Sequence, residues 1–138
     1  MKLSDFDFRV WYDISECYVE NPYIASFHSA DKIIGGQVYH DFGKCPDFVD
    51  FDTDSLKIEL FSGYCDKNGK KIYEGDIVKT KSPYDCFLAK VSIHKEGTFY
   101  FEGKNGDYIG SLIYLVEDEG YDIEIIGNIH ENPELLKC

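Results

Sequence analysis

The sequence predicts a mainly β protein: an N-terminal β region of hairpins, then a small β-barrel, then one short helical turn. Three observations carry this expectation. Apolar and polar residues alternate over short stretches instead of recurring every three or four positions. Gly, Pro, Asn and Asp fall between those stretches at the intervals hairpins need. Hydrophobic residues make up 43% of the 138 and aromatics 16%, enough for a packed interior and unlike a disordered chain. A half of roughly 60–70 residues supplies only a modest core, so two halves would lean on each other or on other copies.

The first element, residues 6–12, alternates apolar with polar from Phe6 to Val10 and continues into Trp11 and Tyr12. Residues 13–16 read as a turn and Cys17-Tyr18-Val19 as the returning strand, with Trp11 near the inner face. Asn21-Pro22 has the cap and first-turn order of a helix start, but residues 23–28 lack a sustained helical repeat. A second hairpin is preferred: Ile24 to His28, a turn over 29–32, and Ile33 to His40, with Gly35-Gly36 marking a bulge or a close backbone approach. Residues 41–54 collect Gly43, Pro46 and five aspartates and read as an acidic loop. Leu56 to Leu60 alternates as a strand that ends the first region, set at residues 1–60.

Residues 61–138 form the second region. Asp66-Lys67-Asn68-Gly69-Lys70-Lys71 contains an Asn-Gly pair, a strong signal for a tight turn between paired strands. Further strands are expected at Ile77 to Thr80, Phe87 to His94, Thr98 to Glu102, Gly110 to Val116 and Tyr121 to Ile126. Turn-forming residues separate them, as a compact barrel requires. Asn132-Pro133-Glu134 then has cap, proline and early acid in the order of one helical turn.

The net charge is −12, unevenly distributed. Residues 1–62 carry 12 acids against 5 bases, 63–95 carry 4 against 7, and 96–138 carry 10 against 2. The basic middle stretch is either a solvated lysine-rich hairpin or a surface that steers onto an acidic face of another copy. Broad nucleic-acid binding is disfavoured, because the field has the wrong sign and Arg9 is the only arginine. Local contact through Lys67, Lys70, Lys71, Lys79 and Lys81 survives as a minor alternative. The five cysteines, 17, 45, 65, 86 and 138, form no C-x-x-C pair and are odd in number. With no apolar run long enough for a signal peptide or membrane span, the expectation is a cytoplasmic protein with reduced thiols and no membrane partner.

Catalytic and metal motifs are weak, so neither catalytic residues, cofactor nor metal is expected. Asp50, Asp52 and Asp54 have calcium-loop spacing, but Ser55 stands where glycine is needed and Phe61 where a bidentate glutamate should close the loop. Asp41-Phe42-Gly43 spells a kinase triplet without its companion motifs, and Gly103-Lys104-Asn105-Gly106 lacks the P-loop spacing and its Ser or Thr. His28, His40, His94 and His130 show no metal spacing, and no Ser or Cys lies in a nucleophile motif.

Three stretches together resemble the YopX family, found mostly in bacteriophages and prophages. They are Phe8-Arg9-Val10-Trp11; Gly63-Tyr64 with Asp66, Asn68, Gly69, Tyr73, Glu74, Gly75 and Asp76 through Val78; and Ile126-Gly127-Asn128 through Asn132-Pro133-Glu134-Leu135. Cys65 stands where the pattern usually has leucine, and His130 where tyrosine is common. The resemblance implies a variable N-terminal β region and a C-terminal barrel of SH3 type, and it carries over no catalytic residues. The motif residues are read as structural: Gly75 for a turn, Asp76 for backbone amides, Tyr73 for packing. Lys67, Lys70 and Lys71 are the candidate interaction surface. Two small β units, aromatic residues able to furnish an interface core and the acidic-basic-acidic charge order lead to the expectation of a phage-encoded binding or assembly protein in the host cytoplasm that self-associates as a homo-oligomer. The alternative is an acidic modulator or inhibitor of a host protein that handles nucleic acid.

Overall fold

The computed structural model describes residues 2–27, 31–39, 46–51, 55–83 and 86–136. The chain divides into a unit of Asp7–Glu59 and a unit of Leu60–Cys138 with Met1–Phe6. Its architecture is mainly β, with twelve strands among the described residues.

In the unit Asp7–Glu59, β1 (Phe8–Tyr12) and β2 (Cys17–Tyr18) make the first hairpin, with Trp11 opposite Tyr18 and Tyr12 opposite Cys17. Trp11 is buried and meets the Tyr18 ring edge-on at 5.0 Å. Val10, Val19 and Leu56 form this unit's buried cluster, flanked by Phe8, Tyr12 and Cys17. The Asp13 N–H donates to the Ser55 carbonyl at 3.0 Å, so the chain entering the strand that starts at Leu56 runs beside β1. One buried charge stands close to this cluster. Glu59, only 4% exposed, accepts from Arg9 Nε at 2.7 Å and from the Tyr18 hydroxyl at 2.9 Å through the same oxygen. Arg9 also lies over the Tyr18 ring, 4.8 Å from its centre. Desolvating a carboxylate is tolerable here because a guanidinium and a hydroxyl replace its water.

The second hairpin pairs β3 (Glu20–Phe27) with β4 (Asp31–Tyr39). β3 begins earlier than the sequence suggested and carries Asn21-Pro22 inside it. The register slips between Glu20, opposite Gln37, and Tyr23, opposite Gly35, so Asn21 and Pro22 face Gly36 as a bulge, with Asn21 at φ 50°. The close approach expected at the paired glycines is present: a Cβ on Gly36 would fall on the Val19 side chain, and one on Gly35 on the Tyr23 ring. The acidic-loop reading of residues 41–54 needs correction. Residues 46–51 form β5 (Pro46–Phe51), which pairs with β4 along its whole length; 41–45 and 52–54 lie outside the described residues. Pro46 is tolerated because it opens an edge strand, and Phe48, Val49 and Phe51 supply the β preference that the aspartates obscured.

β6 (Leu56–Cys65) continues from the first unit into the second, where it pairs with β7 (Lys71–Tyr73) around the predicted Asn-Gly turn. The second unit's main sheet is antiparallel, its strands lying in the order Tyr108–Ser111, Phe99–Glu102, Cys86–Ile93, Asp76–Lys81, Asp122–Asn128. β8 (Asp76–Lys81), β9 (Cys86–Ile93), β10 (Phe99–Glu102) and β11 (Tyr108–Ser111) form a meander, and β12 (Asp122–Asn128) returns to pair with β8. Ile72, Val78, Ala89, Val91, Phe101, Leu112, Leu115 and Ile123 make its core, each no more than 5% exposed. A 3-10 turn at Pro133–Leu136 fulfils the helical expectation at the end; another lies at Leu3–Asp5.

The strand expected over 110–116 is also corrected. β11 ends at Ser111, and Tyr114–Asp118 forms a short π-helical segment. Leu112 and Leu115 are both buried, three positions apart, and Leu115 closes against Gly110, where a Cβ would stand 3.1 Å from it. A short apolar run does not itself distinguish strand from helix, and here the three-residue spacing prevails.

The Arg9–Glu59 pair gives the first prediction. Glu59→Ala should cost about 2 kcal/mol, below the range for wholly buried pairs because the Arg9 side chain is 22% exposed. Urea unfolding of the variant and of Arg9→Met/Glu59→Leu measures it. Equal stability of wild type and Glu59→Ala would show that the pair contributes nothing.

Candidate functional site

The middle and terminal motifs meet around Asp66. Its side chain is 6% exposed, and Oδ1 accepts from the Asn68 and Lys70 amides, each at 2.9 Å. Oδ2 accepts from the Ile125 amide of β12 at 3.1 Å, and the Lys67 N–H donates to the Ile123 carbonyl at 2.9 Å. The turn that Asn68 and Gly69 make possible is thereby fastened to an edge strand of the sheet. Burial pushes the Asp66 carboxyl up, but the amides of Ile125, Lys70 and Asn68, helped by the Lys70 charge, hold it below its ordinary value.

A second fastening lies at Gly75, whose φ of 88° suits glycine. Its N–H donates to Val91 O at 2.8 Å and its carbonyl accepts from Ile129 N at 2.9 Å. Asp76, 1% exposed, accepts from the Tyr73 amide at 2.8 Å, while the Glu74 N–H donates to Leu60 O. Asn128 Oδ1 takes the His130 and Glu131 amides, and Asn132 Oδ1 takes the Asn128 amide. Asn132 packs so tightly on Gly127 that a Cβ there would stand 2.6 Å from its Oδ1, and Pro133 opens the final turn. Gly63 also has positive φ, and the Tyr64 hydroxyl donates to Glu117 at 2.9 Å. These motif residues direct the polar groups described here toward the fold's own backbone or toward neighbouring side chains.

The three candidate lysines differ in setting. Lys67 Nζ lies 2.8 Å from Glu124 Oε2, and this bond and its charge raise the Lys67 pKa and lower that of Glu124. Lys71 Nζ stands 5.2 Å from the centre of the Phe61 ring, and Lys70 is exposed on the turn. Lys79 and Lys81 lie opposite Glu124 and Asp122 in register, so that part of the basic stretch is interleaved with acid.

Among the described residues the other sequence candidates do not converge. Among the described residues no group of three or more His, Cys, Asp or Glu is placed to hold a metal. His28, His40, Asp52, Asp54, Cys45, Cys138 and residues 41–43 lie outside them. Gly103 to Asp107 is a hairpin turn, with the Gly103 N–H donating to Asp107 O at 2.8 Å. Cys65 and Cys86 are exposed thiols; burial, then the Glu20 charge, raises the Cys17 pKa. No described helix is long and apolar enough to cross a membrane.

Sequence reasoning missed two surface features. A groove of about 800 Å³ is lined by Phe87, Leu88, Ile109 and Ile126, with Lys79 and Lys104 among its walls. Lys79 and Leu88 face each other across β8 and β9, on the side of the sheet opposite buried Val78 and Ala89. Ile109 and Ile126 are the extra residues of two bulges, between Phe101/Glu102 partners and between Ile125 and Gly127, and a bulge re-aims a side chain that alternation would place elsewhere. The second feature is a ring cluster: His94 stacks on Tyr100 at 4.3 Å, and Tyr108 stands 5.5 Å from His94 and 5.3 Å from Tyr100. The bulges had no sequence signal as distinct as the Asn-Gly pair.

A family model described as YopX protein matches residues 7–137. The solved structure of protein EF1440 from Enterococcus faecalis is similar at TM-score 0.61 and 25% identity, covering 96% of this chain and 98% of that one. Protein yopX from Bacillus subtilis is similar at TM-score 0.59 and 24% identity, covering 94% and 97%. No curated protein matches the chain.

Because the Asp66 carboxyl titrates lower in the folded state, its stabilisation is complete above the unfolded value of about 3.9 and fades as pH falls through the lower folded value. Asp66→Asn should therefore flatten the acid limb of the stability curve below about pH 4, and Asp66→Ala should cost on the order of 3 kcal/mol at neutral pH. Thermal melts from pH 2 to 7 measure both. An acid limb unchanged in Asp66→Asn would remove Asp66 as its source.

Proposed function

The chain belongs to the YopX family, and from that premise we propose that it is a phage-encoded binding and assembly protein that self-associates in the host cytoplasm. The observation that carries the proposal is the apolar groove beside cationic side chains in a chain of net charge −12. A sheet face turned to water ordinarily selects polar residues, and a grouped apolar exception marks a surface made to be covered. The basic stretch that holds Lys67, Lys70 and Lys71 would meet acidic surface of a neighbouring copy.

No catalytic step enters this reading, because the side chains that the two motifs bring together serve the backbone around them. The main sheet of the second unit is read as a barrel of SH3 type, supported by its meander and by the return of β12 to β8 after a short helical segment. The boundary near residue 60 is proposed as a boundary between two folding domains.

Light scattering coupled to size-exclusion chromatography, run at low and high salt, tests self-association. The expected result is a defined oligomer whose stability changes with salt, because charged contacts are screened over a Debye length of about 10 Å at 0.1 M. A monomer at every salt and protein concentration would overturn the proposal.

A further inference from the structure

We infer that the groove formed by Phe87, Leu88, Ile109 and Ile126 receives the Ile113–Glu119 segment of a second copy of this chain. The inference rests on the self-association proposed above and assigns its two contact surfaces. The groove supplies an apolar floor and two ammonium groups: among the described residues neither Lys79 nor Lys104 has a carboxylate within ion-pair distance. Among those residues Lys79 faces Glu124 in register without forming an ion pair and Lys104 lies beside no carboxylate close enough to pair; in a chain with 26 acids and 14 bases, such cations beside an apolar groove call for an acidic, apolar occupant.

The segment after β11 has that chemistry. Ile113 is 56% exposed and Tyr114 49%, and one helical turn further on Glu117 and Glu119 are exposed. Glu117 and Glu119 each accept a tyrosine hydroxyl, from Tyr64 and Tyr114, which orders the carboxylates without neutralising them. Leu112 and Leu115, buried in the core, anchor the segment, so its exposed side chains are presented from a rigid base. A groove of about 800 Å³ falls within the ordinary size range of ligand pockets and accommodates an isoleucine and a tyrosine together.

Charge exchange between two variants tests the pairing. Lys79→Glu/Lys104→Glu makes the groove acidic, and Glu117→Lys/Glu119→Lys makes the segment basic. Each variant alone should associate about tenfold more weakly than wild type, and a 1:1 mixture should recover association, because every groove then has a segment of opposite charge available. The readout is mass by light scattering, with thermal melts confirming folded variants. If the glutamate variant melts early, Ile113→Asp, at an exposed position, replaces it and should weaken association by a similar factor. A wild-type monomer would overturn both this inference and the proposed self-association. A wild-type oligomer indifferent to both reversals, or reversals that weaken association without recovery on mixing, would overturn this inference alone and leave self-association standing through another surface.

Discussion

A buried carboxylate must find donors for its lone pairs, and Asp66 finds them in three backbone amides on both sides of a strand junction. Two of those amides belong to its own turn and one to β12, nearly sixty residues later. A single side chain thus closes a local turn and fixes the last strand's position in the sheet. Gly75 repeats the device with its backbone, donating to Val91 and accepting from Ile129. The terminal Asn128 and Asn132 then order the residues that follow. Long-range closure carries a loop-entropy cost, and these hydrogen bonds offset it where the meander ends.

The Asn-Gly turn, the hairpin at Asp13 to Glu16, the strands around residues 77–80 and 87–94, and the final turn were legible because each depends on local chemistry. The Asn68-Gly69 turn needs positive φ at Gly69, and Asn132-Pro133 needs a cap followed by a fixed φ; the chain states both within a few residues. Residues 46–51 were illegible for the opposite reason. Aspartates and a proline dominate the local signal, while the pairing that makes β5 comes from β4. The run from Gly110 to Val116 was ambiguous in kind, since its apolar residues fit either period until Leu112 and Leu115 enter one core.

The motif residues were visible as a set, but their relation was not. Sequence order separates Asp66 from Ile125 and Gly75 from Ile129, and only the return of β12 beside β8 brings them together. The groove was still less accessible. Ile109 and Ile126 owe their outward placement to one extra residue in each strand, and strict alternation has no place for such a residue. A surface feature that depends on register cannot be read until register is known.

Charge and register together constrain the proposed self-association. Two molecules each carrying −12 repel at long range, so steering alone cannot hold them; a stable contact must place apolar area at its centre and opposite charges at its edge. The bulges supply the first requirement by turning isoleucines toward the groove. Lys79 and Lys104 supply half of the second. Salt then acts in two directions, weakening the ion pairs and also the general repulsion, while leaving apolar burial largely unchanged. For the proposed assembly, the net salt dependence would report which charge effect is larger, and exchange of specific charges would report where the contact lies.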